Sequence, residues 1–210
     1  MRAAGNAGVP YTPEATVGPF YPVIFVAQSP QDLTSVAPMQ SHRPAGVPIE
    51  LRFRILDAAG MPVRSVIIEC WQANAFGRYR HPDDRSGLEL DPHFDGFARL
   101  RTGDDGACLL RTVKPGKHPL GSGSVRAPHI RLTLFASGID RLVTHVFFDD
   151  EPANATDPVL GAVPFGERER LLARRAADVR DAIPYDFTIR MRGDGETPFI
   201  DDWTDSHALI

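Results

Sequence analysis

The sequence predicts a mainly β protein: a β-sandwich core of short, mostly antiparallel strands, preceded by a proline-rich N-terminal arm and carrying one helix in its C-terminal half. Three observations point there. Apolar and polar residues alternate over several short runs, the signature of a strand with one buried face. Those runs are rich in β-branched and aromatic residues and are punctuated by Gly, Pro and Asp. A helical repeat of apolar positions occurs in one segment alone.

The size and composition agree with a single soluble domain. The chain has 210 residues, 42% hydrophobic and 24% charged, the proportions of an ordinary globular protein. A formal net charge of -4 supplies no basic excess of the kind that binds a phosphate backbone, so nucleic acid is not an expected partner. Cys70 and Cys108 are too few for a disulfide framework and lie among apolar residues, where cysteine behaves as a small buried hydrophobe. The opening residues Met1 to Gly8 lack an apolar signal core, and no stretch is long enough to span a membrane. A cytoplasmic location is expected.

Residues 1–48 carry Pro10, Pro13, Pro19, Pro22, Pro30, Pro38, Pro44 and Pro48. Proline at that density breaks helices and removes ladder donors, so this is an extended arm. Its Tyr11, Phe20, Tyr21 and Phe25 require burial, against the chain's own core or a neighbouring subunit. From Ile49 the chain alternates, Ile49, Leu51, Phe53 and Ile55 against Glu50, Arg52 and Arg54, which predicts a half-buried strand opening a domain over 49–203, with 204–210 as a tail. Asp57-Ala58-Ala59-Gly60 is a turn, and the run Val66 to Trp71 completes an expected hairpin. Further strands are predicted at Ala107–Val113, Ile130–Phe135, Leu142–Phe148 and Tyr185–Met191. The helix is predicted over Glu167–Val179, where Leu172, Ala176 and Val179 repeat and an Arg-rich face points to solvent.

Several segments together carry a resemblance: Asp57 to Val63; Glu69-Cys70-Trp71-Gln72-Ala73-Asn74-Ala75-Phe76-Gly77-Arg78-Tyr79-Arg80-His81; Thr112 to Gly116; Ala127-Pro128-His129-Ile130; Phe147-Phe148-Asp149-Asp150; and Tyr185 to Ile189. In these the chain resembles the intradiol ring-cleavage dioxygenases over roughly residues 12–200. The resemblance implies a site in which two tyrosinates and two imidazoles hold ferric iron. A hard Fe(III) centre favours anionic phenolate, and an open position must remain for a chelating catechol. On this chain the first tyrosine position falls on Tyr79 and is kept. The second falls on His118. The two histidines, two apart on one strand and so facing one point, fall on His129, kept, and on Arg131, which stays protonated and cannot ligate. Arg126 matches an arginine that in catalytic chains lies near the metal.

The same family includes enzymes built from an iron-bearing beta-type chain and an alpha-type chain without iron that closes the partner's site. The resemblance is to the alpha type. It implies a hetero-oligomer in which Fe(III) sits on the beta-type partner and protocatechuate is cleaved with dioxygen to 3-carboxy-cis,cis-muconate. This chain would bind no metal itself, its Tyr79, His118, His129 and Arg131 being vestigial ligand positions. It also implies that Thr16, Gly18 and Pro19 line the partner's substrate pocket. Gly18 permits close backbone approach, Pro19 fixes the chain, and the Thr16 hydroxyl can donate to a carboxylate.

Simpler readings accompany each residue. Tyr79 packs its ring and bonds its hydroxyl, His129 is a hydrogen-bonded core histidine beside Arg131, and His145 is an ordinary strand residue. Arg126 forms a structural ion pair with an acid such as Glu69, or is solvated or at an interface. Asn154-Ala155-Thr156 has glycosylation spacing without a secretory context. Two other functions stay open: a stand-alone catechol-type dioxygenase with an altered site of Tyr79, His118 and His129, and a non-catalytic scaffold module.

Overall fold

A computed structural model describes residues 21, 24–34, 43–120, 123–136, 139–177 and 181–199. In chain order the elements are α1 (Ile24–Ala27), β1 (Pro48–Leu56), β2 (Ile67–Trp71), β3 (Phe97–Arg101), β4 (Ala107–Val113), β5 (His118–Pro119), β6 (Val125–Arg126), β7 (His129–Ala136) and β8 (Ile139–Phe148). Then come a 3-10 turn at Pro152–Thr156, α2 (Pro158–Ala162), a second 3-10 segment at Phe165–Leu171, β9 (Leu172–Arg175) and β10 (Ile183–Arg190). Strands form at all the predicted places, 49–55, 107–113, 130–135, 142–148 and 185–190; in β1, β7 and β10 the buried side chains recur at every second residue, whereas 143–148 of β8 are buried on both faces.

Eight strands run in the order β3-β2-β7-β8-β9-β10-β1-β4, and β5 pairs with β6 apart from them. β9 joins two layers, lying parallel to β8 on one side and antiparallel to β10 on the other. Ile49, Leu51, Phe53 and Ile55 from β1 and Tyr185, Phe187 and Ile189 from β10 face Ile68, Cys70, Ile130, Leu132 and Leu134 from β2 and β7 in one shared core. At about 25 cal/mol per Å² of apolar surface removed from water, this face-to-face burial is the main stabilising term. Cys70 and Cys108 are free thiols, Cys70 fully within the core.

Two local expectations give way to tertiary pairing. β1 and β2 do not form a hairpin: β1 pairs with β10 and β4, whereas β2 pairs with β3 and β7. The chain arches from one layer to the other, so the two runs face each other across the core instead of lying side by side. The helix over 167–179 does not form either. Its first part belongs to the 3-10 segment, which ends at the buried Leu171, and residues 172–175 become β9, where Ala173 is buried; residues 178 and 179 lie outside the described residues. The arginines there are engaged: the half-buried Arg168 donates to the Val163 and Gly161 carbonyls, and the exposed Arg175 pairs with Asp150.

β3 and β4 are the two outer strands, with free ladder groups that a sandwich must protect. Residues 24–34 cover both. The Arg99 amide on β3 donates to Ser29 Oγ at 2.8 Å, and Arg111 on β4 exchanges backbone hydrogen bonds with Gln31 and Leu33. Leu33 and Val26 are buried beneath. A second small core of Ala127, Phe147, Leu160 and Leu171 packs the segment around α2 onto the outer face of β8.

Candidate active site

The site lies on the outer face of the layer containing β2, β7 and β8. Register places Trp71, Arg131 and His145 in one lateral row across those three strands, with His129 opposite Phe147. Alternation therefore aims His129 and Arg131 from β7 at the same side, as their spacing predicts.

Tyr79 is delivered by the loop after β2. Asn74, buried, organises it: its Oδ1 accepts from the Phe76 and Arg78 amides, and its Nδ2 donates to the Glu89 carbonyl at 3.0 Å. Gly77 sits at φ +89, and a Cβ there would meet the Lys117 carbonyl oxygen at 1.9 Å, so the close approach of this loop to the 116–118 segment requires glycine. The Tyr79 amide donates to Asp84 Oδ2 at 2.7 Å, and its ring stacks on Trp71 at 5.7 Å. Burial raises the Asp84 carboxyl, but hydrogen bonds from Ser86 and the Tyr79 amide and the charge of His118 outweigh it and leave the pKa below the ordinary value.

His129 is buried. Its Nδ1 donates to the Ala127 carbonyl at 2.7 Å, which leaves the Nε2 lone pair facing the Tyr79 hydroxyl at 3.3 Å. Burial, then the charge of Arg126, lowers the His129 pKa to about 3, so the ring is neutral. Burial also pushes the Tyr79 phenol up to about 12, against the pull of Arg126 and Arg131. The structure thus brings Tyr79 and His129 together. His118 is adjacent, its ring edge-on to Tyr79 at 5.0 Å and its Nδ1 donating to the Gly77 carbonyl at 2.7 Å.

Two placements depart from the sequence reading. Arg126 is neither paired with Glu69 nor solvated: it is buried, and its Nε donates to Asp157 Oδ2 at 2.9 Å. Glu69 instead accepts from Arg99 and Tyr21. His145 is more than an ordinary strand residue, since it is buried with its ring 5.2 Å from that of His129, and burial holds its pKa well below the usual range. Sequence reasoning missed Asp157, although Asp before Pro158 is a readable helix start. Beside these groups opens a cleft of about 360 Å³ lined by Glu69, Trp71, Phe97, Arg131, Thr133 and Phe135. Thr16, Gly18 and Pro19 lie outside the described residues. Among the described residues no group of three or more His, Cys, Asp and Glu side chains is arranged to hold a metal ion.

The comparisons with known proteins agree with this architecture. A family model described as Dioxygenase matches residues 18–193. The alpha chain of protocatechuate 3,4-dioxygenase from Pseudomonas putida is 35% identical over 200 residues, 92% of this chain and 97% of that one. The beta chain of that enzyme from Burkholderia cepacia is 39% identical over 173 residues, 80% of this chain and 73% of that one. Among solved structures, the dioxygenase domain of a carbohydrate-binding fusion protein from Streptomyces sp. SirexAA-E aligns with a TM-score of 0.59 at 26% identity, covering 87% of this chain and 98% of that domain. A two-layer sandwich that sets Tyr79 against His129 on one strand face, matched along most of its length, makes this chain a member of the intradiol ring-cleavage dioxygenase family.

Proposed function

We propose that this chain is the iron-free, alpha-type subunit of a cytoplasmic protocatechuate 3,4-dioxygenase, paired with a homologous iron-bearing chain that cleaves protocatechuate to 3-carboxy-cis,cis-muconate. The observation that carries this reading is Arg131. It occupies the strand position two residues from His129, between Trp71 and His145, where the family's second imidazole is expected. A guanidinium has no lone pair to offer a metal. At about 4 Å and an effective dielectric near 20 it also repels each unit of metal charge by about 4 kcal/mol. Of the four ligand positions, only Tyr79 and His129 present donor atoms to one another. His118 supplies an imidazole in place of an anionic phenolate and spends one ring nitrogen on the Gly77 carbonyl. This set does not fit ferric iron, and this chain's own core takes no part in ring cleavage.

The end-to-end similarity to two protocatechuate 3,4-dioxygenase alpha chains supports the subunit assignment. The beta-chain similarity supports common descent of both subunit types, and the oxidative chemistry then belongs to the partner. This chain's contribution is the arm, with Thr16, Gly18 and Pro19 closing the partner's pocket.

The test is expression of this chain alone and together with a homologue that has Tyr, Tyr, His and His at the four positions. Alone it is expected to be colourless and inactive. Together they are expected to consume dioxygen with protocatechuate. Visible tyrosinate-to-iron absorption and ring cleavage by this chain alone would overturn the reading. The proximity of Tyr79 and His129 favours a second reading, a stand-alone enzyme with a Tyr79, His118 and His129 site. It predicts stoichiometric metal that is lost in His129→Ala. A pure scaffold predicts that Thr16→Ala and Gly18→Val leave both kcat and KM of the complex unchanged.

A further inference from the structure

We propose that Tyr21, Glu69 and Arg99 form a clasp that fixes the root of the N-terminal arm, making them positioning residues for whatever pocket the arm serves. One carboxylate oxygen is the hub: Glu69 Oε1 accepts from Tyr21 Oη at 2.8 Å and from Arg99 Nε at 2.7 Å. The Tyr21 ring packs on Phe135 at 5.2 Å. Side chains from β2, β3 and β7 thus hold a single tyrosine. Arg99 extends the clasp along the chain, its guanidinium 5.5 Å from the centre of the Phe25 ring and its amide bonded to Ser29. The Glu69–Arg99 pair is partly exposed and weak as an isolated ion pair. Sharing one acceptor with a packed tyrosine makes it a network, whose members support one another.

The location of the clasp sets the reach of the arm. Pro19 and Gly18 precede Tyr21 by only two and three residues, so fixing Tyr21 shortens the tether on which they act. If Tyr21 is released, the next fastening among the described residues is the Phe25 ring on Arg99, and the tether lengthens by four residues. A longer flexible tether dilutes the segment at its target. That weakens substrate binding without touching the chemical step.

The claim that the arm serves a partner's pocket rests on the subunit reading above; the clasp itself does not. Two measurements separate them. In the full-length isolated chain, chymotrypsin cleavage after Phe25 is expected to accelerate about tenfold in Tyr21→Ala and Glu69→Leu, and less in Tyr21→Phe and Glu69→Gln, which keep the ring or an acceptor. In the complex with an iron-bearing chain, the first two variants are expected to raise KM about tenfold with kcat within about twofold, and the conservative pair to fall between them and wild type. Unchanged cleavage overturns the clasp whatever the partner does. Faster cleavage with unchanged KM overturns its positioning role. If the wild-type chain activates no iron-bearing partner, the subunit reading fails and the cleavage series alone decides the clasp.

Discussion

Asp157 is fully buried and accepts four hydrogen bonds. Oδ2 takes Arg126 Nε at 2.9 Å and the Ala127 amide at 2.7 Å, and Oδ1 takes the Val159 and Leu160 amides at the start of α2. Asp157→Ala leaves the Arg126 cation buried and unpaired, which costs about 3–5 kcal/mol, and removes a helix cap worth about 1 kcal/mol. A loss of about 4–6 kcal/mol is a large share of a typical folding free energy of about 5–15 kcal/mol. At about 2–4 °C per kcal/mol for a chain of this size, it lowers Tm by roughly 10–20 °C. Asp157→Asn is no rescue, since its amide nitrogen would face the Arg126 and Ala127 donors or lose the cap by flipping. Arg126→Met is milder, about 1–3 kcal/mol, because Asp157 keeps three amide donors and α2 keeps its cap. Urea or thermal unfolding of the variants measures the asymmetry. A change below about 1 kcal/mol in Asp157→Ala, or a larger loss in Arg126→Met than in Asp157→Ala, refutes the reasoning.

Gly77→Ala is expected to destabilise by about 3 kcal/mol or more, since a left-handed backbone gains a side chain that collides with the Lys117 carbonyl. Loss of the Trp71–Tyr79 stacking signal in near-ultraviolet circular dichroism would accompany it, and wild-type stability would contradict the packing described. Acid is also expected to destabilise the protein well above the carboxylate range. Burial first, then neighbouring charge, holds His129 at about 3 and His145 well below its ordinary value. Unfolded imidazoles titrate near about 6.5, so below that pH the unfolded state binds protons that the folded state refuses. The stability is complete above the unfolded value and is lost as pH falls toward the folded one. For His129 this removes about 2 kcal/mol between pH 7 and pH 5, and the buried His145 acts in the same direction. Asp84 and Asp150, whose values are lowered, lose their contributions only at more acid pH. Urea midpoints that are flat from pH 7 to pH 5 would contradict this.

Much of the fold was legible because strand alternation and burial coincide. Ile49 to Ile55 and Tyr185 to Ile189 read as strands and are strands, paired in parallel with each other, a long-range fact no local pattern contains. The errors share that origin. Val66 to Trp71 reads equally as the second arm of a hairpin or as a strand of the facing layer, and only the pairing of β2 with β3 and β7 distinguishes them. In the segment after Pro164, three apolar positions mimicked a helical stripe. Leu171 and Ala173 are buried two apart because the chain there must bridge β8 and β10. At the site, the family resemblance implied a cluster of Tyr79, His118, His129 and Arg131, and Tyr79, His118 and His129 do lie together. The structural ion pair read for Arg126 is present, but with Asp157 and not with the example Glu69, since Asp157 lies thirty-one positions downstream and meets it only through the packing of α2.

Two of the ligand positions implied by the resemblance, Tyr79 and His129, are also used by the fold. Tyr79 stacks on Trp71 and closes the Asn74 loop through its amide, and His129 bonds Ala127 and packs beside Phe147. Both would be costly to replace with or without a metal, so their retention is no sign that iron is bound. His118 and Arg131, the changed positions, are only partly buried, in a short ribbon and beside an open cleft, where substitution disturbs less packing. Under the subunit reading proposed above, folding constrains Tyr79 and His129 more tightly than it constrains His118 and Arg131. The clasp has a duty of another kind: Glu69 and Arg99 stand on an outer face where the core does not need them, and the Glu69 carboxylate that Arg99 shares with Tyr21 holds the root of the arm.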